Sequence, residues 1–445
     1  MPNRDALRNT GQTHFPKFVR VITPHPCSQN PLPTSLKYPR SFFFAMDQHT
    51  FRRRGLGLRG VDDRVSPGYV LYAPLTSNTA HLISTTGKEV HRWTLPHRAG
   101  RHARILPDGN LAYNAAHPEA PALFPMWAKY RGGMMMQVSP GGEILRQYSD
   151  PLAHHDQNHL DDGTLLYTTL EPLSAEEAAT VQGGIEGSEA DGVIYGDCIK
   201  LVNPWSSSNI SSSADFEVEG KGAQLLWSWR AIDHLDPAAF AAHPHYPREH
   251  WPLINSVSFD SDGNIIASSR NASSVFVISR ATGEVLWHLP APTVSQQHCA
   301  HQINESGDML IFDNGVFRPG VSVPFSRAII VSKEKVVKWE YKDPSTGGLG
   351  FFTPFMGSAQ KLHGGNVLLC EAADGRIIEV TEGGEIVWEF VVPQLGDYKA
   401  VLGSKELEEM ERIGFDYSSN AIFRAYKYTP DELPWLKEGW LSNWL

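Results

Sequence analysis

The sequence predicts an all-β protein, a six-bladed β-propeller with long loops over one mouth of its central channel. A unit made of a turn residue, two aliphatic residues and an aromatic residue recurs six times, and a second unit, a turn rich in Asp, Asn and Gly, alternates with it. Most copies of the first unit lie about 50 to 60 residues apart. A period of this size, with about four short strands in each repeat, is typical of propeller blades.

The aromatic unit marks the blades. Its six copies are Gly87–Trp93, Gly142–Tyr148, Gly222–Trp227, Gly283–Trp287, Lys335–Trp339 and Gly384–Trp388. Six copies predict six blades, and the wider gap between the second and third copies predicts an excursion out of one blade.

The second unit places a tight turn between two strands. Its copies are Asp108-Gly109, Asp162-Gly163, Asp262-Gly263, Ser306-Gly307 and Gly364-Gly365. Asx-Gly pairs supply the positive φ that two-residue hairpin turns need, so each copy predicts a β-hairpin. The strands available to close the ring are 68–72 and 420–426.

Long segments between the strands are predicted to wall in a site at one mouth of the channel. Loops of this length inside a compact fold are generally functional. They span 115–133, 171–196, 206–213, 231–250, 341–357 and 393–419.

Composition limits the partners and the compartment. A formal charge of −10, with no stripe of Lys and Arg, argues against nucleic acid as a partner. No apolar run of about 18 residues predicts a membrane span. The four Cys stand far apart with no C-x-x-C pair, which indicates reduced thiols. We predict a cytoplasmic protein because no secretory signal is recognised, with secreted or organellar locations and the oligomeric state left open.

Two domains are predicted. Residues 1–48 are basic and rich in Pro, and we expect them to be a flexible N-terminal extension that the fold does not need. The alternatives are that this segment is a transit-like peptide, or that it begins at an upstream translation start and Met46 is the functional start. Residues 49–445 are predicted to form the propeller.

Candidate site residues recur at one blade position. The innermost strand of each blade lines the channel, so residues at the starts of these strands converge on one point. By position relative to the turns, these starts carry Arg101, His102, His154, His155, Asn255, His298 and Ser358. A single His beside a Gly-rich turn is often only a surface residue, but polar residues recurring at one blade position favour a pocket.

Motifs in these segments resemble those of the arylsulfate sulfotransferases, six-bladed propellers that do not use PAPS. The resemblance covers about residues 50–430. It depends on Gln297-His298-x-Ala300 followed by Phe312-Asp313-Asn314-Gly315, on Asn255-Ser256-Val257 with Ser268-Ser269-Arg270, and on His154-His155-Asp156.

The resemblance implies an enzyme that moves a sulfuryl group from an aryl sulfate to a phenol. His298 would be the nucleophile and form a transient sulfohistidine. Arg270 would hold the sulfuryl oxygens, Asn255 would add a donor, and His155 would bind or protonate the leaving oxygen. The expected partner is an aromatic small molecule, with no cofactor. The remaining candidates are predicted to bind substrate, and they are His154, His102, His301, Arg101 and Ser358.

One position departs from the family pattern. The family usually has a His two residues before the Asn, where this sequence has Leu253. Losing such a donor can cost ~2.7–4 kcal/mol in the transition state, unless His250, His301 or a loop residue replaces it. The alternative is therefore a divergent enzyme of secondary metabolism, a cyclase, isomerase or lyase acting on an aromatic substrate without sulfuryl transfer.

Two further alternatives stay open at this point. One is a propeller that binds a ligand or protein without catalysis. The other is a metal hydrolase that uses His154, His155 and His159, or His298 and His301. Inward-facing carboxylates are scarce in the sequence, so no metal is predicted.

Overall fold

A computed structural model describes residues 55–204, 223–344, 350–397 and 418–436, with the isolated positions 399, 404, 407 and 408. The predicted extension, residues 1–48, lies outside the described residues. The strands in chain order are β1 (Gly57–Val61), β2 (Tyr69–Pro74), β3 (Thr79–Ser84), β4 (Glu89–Thr94), β5 (Ala99–Ile105), β6 (Leu111–Ala116), β7 (Gly133–Val138), β8 (Ile144–Ser149), β9 (Ala153–His159), β10 (Leu165–Pro172), β11 (Gly183–Ile185), β12 (Tyr195–Asn203), β13 (Gln224–Arg230), β14 (Ala242–Pro247), β15 (His250–Trp251), β16 (Ile254–Phe259), β17 (Ile265–Ser269), β18 (Ser274–Ile278), β19 (Val285–Leu289), β20 (His298–Gln302), β21 (Met309–Asp313), β22 (Arg327–Val331), β23 (Val337–Tyr341), β24 (Ser358–Lys361), β25 (Val367–Glu371), β26 (Arg376–Val380), β27 (Ile386–Val391), β28 (Gly396–Asp397), β29 (Ser418–Ser419) and β30 (Ile422–Tyr428).

Short helices lie in the loops of the described part of the chain, and they are α1 (Trp127–Tyr130), α2 (Ala175–Thr180) and α3 (Ala231–His234). No helix within the described ranges combines the length and the apolar character that crossing a membrane requires.

Six antiparallel sheets form the blades, and the predicted six-bladed propeller is confirmed. From the inner to the outer strand, the blades are β30-β2-β3-β4, β5-β6-β7-β8, β9-β10-β12-β13, β16-β17-β18-β19, β20-β21-β22-β23 and β24-β25-β26-β27. We number them one to six in this order. The apolar cores lie between the strands of neighbouring blades, as in other packed sheets.

Both ends of the described chain take part in closing the ring. The late strand β30 is the innermost strand of blade one and pairs with β2, with Leu71 opposite Tyr426. The predicted closure pairing is therefore confirmed. The first strand, β1, adds a fifth strand to the outer edge of blade six, where Leu58 lies opposite Phe390.

The predicted hairpins are present, but their loops are longer than the two residues expected. The Leu106 amide donates to the Asn110 carbonyl at 2.8 Å, and the Gly109 amide donates back to the Leu106 carbonyl at 2.8 Å. Three residues therefore form the loop, and Gly109, with a φ of 85°, takes the left-handed position. Such a loop is a type I turn followed by a left-handed glycine, which explains why Gly stands last in each copy.

The aromatic units link neighbouring blades. The indole N–H groups donate to backbone carbonyls of the next blade, in the pairs Trp93 to Ser139, Trp229 to Gly283, Trp287 to Lys333, Trp339 to Glu382 and Trp388 to Thr85. The third copy reaches its neighbour through Trp229 and not through the expected Trp227. The two side chains share one face of β13, because alternate residues of a strand point the same way.

Trp388 closes this series because its indole N–H, in blade six, donates to the Thr85 carbonyl of blade one at 2.7 Å. We expect Trp388→Phe to lower the free energy of unfolding by ~1–3 kcal/mol, since the Thr85 carbonyl loses its donor in a part-buried place. Trp287→Phe is the matched control, because its indole bond is exposed and water can replace it. Guanidinium denaturation of both variants measures the difference. An equal loss in the two would contradict a special role for the closing contact.

Candidate active site

A cavity of about 610 Å³ lies at one end of the inner strands. Four of the predicted long loops contribute to its wall, through Lys129 and Tyr130, Tyr246 and Glu249, Phe355 and Met356, and Ser419. The prediction that these loops wall in a site is confirmed for these four segments. The segment 206–213 lies outside the described residues.

Four of the nine sequence-predicted residues line this cavity, namely Arg101, His155, Arg270 and His298. They come from blades two, three, four and five, so the ring brings together residues that lie far apart in the chain. Asn255 lies behind the wall, where its side-chain amide donates to the Gln297 carbonyl at 2.8 Å. Asn255 therefore positions the start of β20, the strand that begins with His298.

The other four predicted residues are not among the residues that line the cavity. His102 is buried against Asp156 at 2.9 Å, and Ser358 accepts a hydrogen bond from the Ala425 amide at 3.2 Å. His154 lies behind His155, and His301 lies three residues farther along the inner strand of blade five. Position along the strand accounts for His301 alone, whereas His102, His154 and Ser358 bond to protein groups and not to the cavity.

Hydrogen bonds determine the tautomer of His298. The side-chain amide nitrogen of Asn314 donates to the carbonyls of Thr353 and Met356, both at 2.8 Å. The Asn314 oxygen must therefore be the acceptor for His298 Nδ1, which lies 2.7 Å away. The proton of the neutral ring is on Nδ1, and the lone pair is on Nε2. In this structure the Met356 amide donates to Nε2 at 3.1 Å.

His298 is uncharged at neutral pH. Burial, followed by the positive charge of Arg270, holds the pKa of His298 well below its usual value, and the hydrogen bond to Asn314 only partly opposes this. A neutral imidazole is a nucleophile without prior loss of a proton.

Arg270 is held against an aromatic wall. Its guanidinium lies over the Tyr246 ring, with Cζ 4.3 Å from the centroid, and donates to the Tyr246 hydroxyl at 2.7 Å. Its backbone amide donates to the carbonyl of Leu253, which has a left-handed φ of 63° and lines the cavity. The guanidinium Nε has no hydrogen-bond partner among the described residues. Arg270 lines the cavity, and each of its two terminal nitrogens, with two N–H groups apiece, makes one side-chain hydrogen bond among the described residues, so Arg270 can still donate to a ligand.

The cavity lining is more positive than negative. Arg101, Lys129 and Arg270 supply cationic groups, and Glu249 is the single acidic residue in the described lining. Burial, and then the Arg101 charge, lowers the pKa of Lys129 to about 8, while burial raises the pKa of Glu249 to about 7. The site therefore suits an anionic ligand. The sequence analysis did not identify Lys129 as one of the cationic groups of the site.

A buried histidine cluster extends from one wall of the cavity, which His155 and His250 line, into the protein. His155 and His154 face each other through their Nδ1 atoms at 2.8 Å. Asp197 Oδ1 lies 3.1 Å from His154 Nε2 and 3.1 Å from His250 Nε2, while His250 Nδ1 lies 3.0 Å from the Tyr130 hydroxyl. Burial of Asp197 raises its carboxyl pKa, but the two histidines outweigh burial and bring it to about 2. In the described part of the chain, only His154, Asp197 and His250 converge as possible metal ligands, which differs from both sets considered from the sequence.

A buried ion pair supports the inner strands. Arg424, on β30, donates to both carboxylate oxygens of Asp156 at 2.8 and 3.0 Å and to the Asn255 carbonyl at 3.1 Å. The Val257 amide also donates to Asp156, at 2.9 Å. Burial raises the pKa of Asp156, but Arg424 and His102 together hold it below its usual value. Arg424 was missed as a site residue because its strand was considered only for ring closure.

Comparison with known proteins identifies a family for this chain. A family model described as arylsulfotransferase (ASST) matches residues 128–392, which is more than half of the chain. The chain belongs to the arylsulfotransferase family. The resemblance found in the sequence is therefore confirmed at the level of the family. No curated protein sequence matches the chain significantly.

Solved structures similar to this member of the arylsulfotransferase family are distant. A protein of unknown function from Bacteroides caccae has 12% identity and a TM-score of 0.46, covering 81% of this chain and 99% of its own. A streptogramin B lyase has 11% identity and a TM-score of 0.41, covering 76% and 83%. A catalytically inactive virginiamycin B lyase from Staphylococcus aureus, with quinupristin, has 10% identity and a TM-score of 0.40, covering 77% and 91%.

Proposed function

We propose that this protein transfers a sulfuryl group from an aryl sulfate to a phenol, with His298 Nε2 as the nucleophile. The observation that carries the proposal is the hydrogen bond from His298 Nδ1 to Asn314, which leaves the lone pair of a neutral imidazole on Nε2. Membership of the arylsulfotransferase family supports the same assignment.

In the first half-reaction, His298 Nε2 attacks the sulfur of the aryl sulfate. The new N–S bond forms as the S–O bond to the ring breaks, and the phenol leaves as its phenolate with the electron pair. Arg270 lines the same cavity and can hold the sulfuryl oxygens through N–H groups of its terminal nitrogens, while His155 hydrogen-bonds to the departing oxygen.

In the second half-reaction, a phenolate acceptor takes the place of the departed product. Its oxygen attacks sulfur, the N–S bond breaks, and the electron pair returns to His298 Nε2. His298 exchanges no proton with solvent in either step, because its Nδ1–H remains hydrogen-bonded to the Asn314 oxygen throughout. Ping-pong kinetics follow from this order.

The shape and charge of the cavity support an aromatic anion as substrate. Tyr130, Tyr246 and Phe355 supply aromatic surface to the cavity, and the three cationic groups of the lining supply positive charge. Leu253 stands where the family pattern expects a donor, and His250, which also lines the cavity, already uses its two ring nitrogens for Tyr130 and Asp197. We assign the missing contact to the Lys129 and Arg101 charges, which attract the sulfate group.

One hydrogen bond favours a second candidate function. The Met356 amide occupies the lone pair of His298 Nε2 at 3.1 Å, so nucleophilic attack requires Met356 to move. Met356 itself has a left-handed φ of 62°, an uncommon conformation for a side chain of this kind. If the amide stays in place, His298 only positions the 351–357 loop, and His155 with Arg270 would serve a cyclase, isomerase or lyase reaction on an aromatic substrate.

A half-reaction experiment distinguishes the two candidates. The purified protein is incubated with 4-nitrophenyl sulfate, first alone and then with a phenol, in the absence of PAPS. Sulfuryl transfer predicts a stoichiometric burst of 4-nitrophenol, a sulfuryl adduct on the peptide that carries His298, and turnover only when the phenol is added. Absence of both the burst and the adduct would leave the second candidate.

Lys129 predicts the pH dependence of the first half-reaction. Because the pKa of Lys129 is about 8, it is charged below pH 8 and neutral above it. We expect kcat/KM for phenol release to fall as pH rises through this value, by about 5- to 10-fold for the loss of one attractive charge. Lys129→Gln should be slow at all pH values, and Lys129→Arg should remove the fall because its charge persists. An unchanged fall in Lys129→Gln would assign the titration to another group.

A further inference from the structure

We propose that His154, Asp197 and His250 form a binding site for one divalent transition-metal ion, of which Zn²⁺ is the best match. The ion would lie behind the wall of the active-site cavity, out of contact with the substrate. Its position would determine which nitrogen of His155 carries the proton. The metal site does not rest on the proposed sulfuryl transfer, whereas the use made of His155 does.

The ligand atoms already converge. Asp197 Oδ1 lies 3.1 Å from each of the two histidine Nε2 atoms, and all three atoms lie within 4.8 Å of one another. Bonds of ~2.0–2.1 Å from a tetrahedral Zn²⁺ place neighbouring ligand atoms about 3.3 Å apart. The two distances to Asp197 are therefore close to the spacing that the ion needs, and the two histidine nitrogens are no more than 4.8 Å apart.

An unsatisfied nitrogen points to a missing partner. His154 has no exposed surface, and its Nε2 has no hydrogen-bond partner among the described residues, although Asp197 is only 3.1 Å away. The approach lacks hydrogen-bond geometry, while His250 Nε2 does bond to the same oxygen. A buried polar atom without a partner costs free energy, and a metal ion would satisfy it.

The donor set selects the class of metal. Two imidazoles and one carboxylate are ligands for Zn²⁺ and similar first-row ions, whereas Ca²⁺ and Mg²⁺ prefer oxygen ligands. The surrounding groups are also those of a metal site. The second oxygen of Asp197 accepts from the Ile254 amide at 2.9 Å, and each histidine has a partner on its other nitrogen, Tyr130 for His250 and His155 for His154.

Metal binding has a consequence for the cavity. With the ion on Nε2, the proton of His154 must be on Nδ1, where it donates to His155 Nδ1 at 2.8 Å. His155 then carries its own proton on Nε2, the nitrogen on the opposite side of its ring. His155 would therefore be a hydrogen-bond donor to the phenolate that leaves in the proposed reaction.

Metal affinity tests the site without any substrate. The full chain is stripped with a chelator and titrated with Zn²⁺, and with Co²⁺ as a spectroscopic probe of four- or five-coordination. We expect one tightly bound ion per chain and a thermal midpoint that rises with Zn²⁺. Asp197→Asn and His154→Gln should each weaken binding by at least ~100-fold, and Tyr130→Phe by about 10- to 100-fold through its effect on His250.

The matched control is His159→Gln. His159 lies on the same strand as His154, but its partner is Gln137 and not the cluster. It should bind Zn²⁺ as the wild type does, which shows that losing a histidine outside the cluster does not by itself weaken binding. If Asp197→Asn does not fold, His154→Gln carries the test, since Asp197 keeps its other contacts there. Equal Zn²⁺ affinity and equal thermal shift in wild type and His154→Gln would overturn the proposal.

The role of His155 has a separate readout. Removing the ion should slow phenol release most for aryl sulfates with poor leaving groups, which depend most on a donor at the departing oxygen. Tight Zn²⁺ binding with no effect on any aryl sulfate would keep the site and reject its link to the proposed function.

Discussion

Replacing His298 by alanine is expected to reduce sulfuryl transfer from 4-nitrophenyl sulfate by at least ~10³-fold, because the variant has no atom to accept the sulfuryl group. The burst of phenol and the sulfuryl adduct should both disappear. Binding of the aryl sulfate should change much less, since the cationic groups of the cavity remain. Rapid-quench kinetics measures the burst, the intact mass of the protein measures the adduct, and an equilibrium titration measures binding.

His288→Gln is the control for this variant. His288 lies on an outer strand of blade four, bonds to Ser274 Oγ at 3.0 Å and is not among the residues that line the cavity. It should transfer the sulfuryl group at the wild-type rate. Retention of most of the activity in His298→Ala would reject the nucleophile, and with it the first of the two proposed functions.

Arg424→Met should lower the free energy of unfolding by ~3–5 kcal/mol, the usual cost of leaving one partner of a buried ion pair without its counter-charge. Asp156 would keep only His102 and backbone amides as partners. The loss matters for the ring because Arg424 comes from the closing strand and Asp156 from blade three, and the pair joins them across the channel. Guanidinium denaturation gives the free energy.

A surface ion pair and a double variant serve as controls. Arg64→Met removes contacts to Asp62 and Glu385 at the exposed edge and should give no resolvable change. Asp156→Asn combined with Arg424→Met should be less destabilising than the sum of the two single changes, because no buried charge is left alone. Strict additivity would show that Asp156 and Arg424 do not interact energetically.

Repeats made the fold predictable. The Gly of each hairpin turn takes a left-handed position, and each aromatic residue lies in an outer strand, so local chemistry marked every blade in turn. The exception shows the limit. Trp227 fits the sequence pattern, but Trp229 makes the contact with the next blade. Both residues lie on one face of β13, and the packing of the blades decides which of them reaches the neighbour.

The site was only partly predictable. His155, Arg270 and His298 could be named because inner strands converge in any propeller and because motifs around them resemble a family. His102 and Ser358 occupy the same blade position but have partners in neighbouring strands, which hold them away from the cavity. Sequence spacing identifies the strand, but not whether a side chain bonds to protein or faces a ligand.

Taken by itself, the amino-acid sequence determined the number of blades, the strands that close the ring and the loops that surround one mouth. These depend on period, turn chemistry and loop length, which are local properties. Only the tertiary structure decided the charge and protonation of the site. The tautomer of His298 depends on Asn314, and the histidine cluster depends on Asp197 meeting His250, 53 residues away in the chain. Burial and hydrogen-bond partners set these states, and both arise only when distant blades pack together.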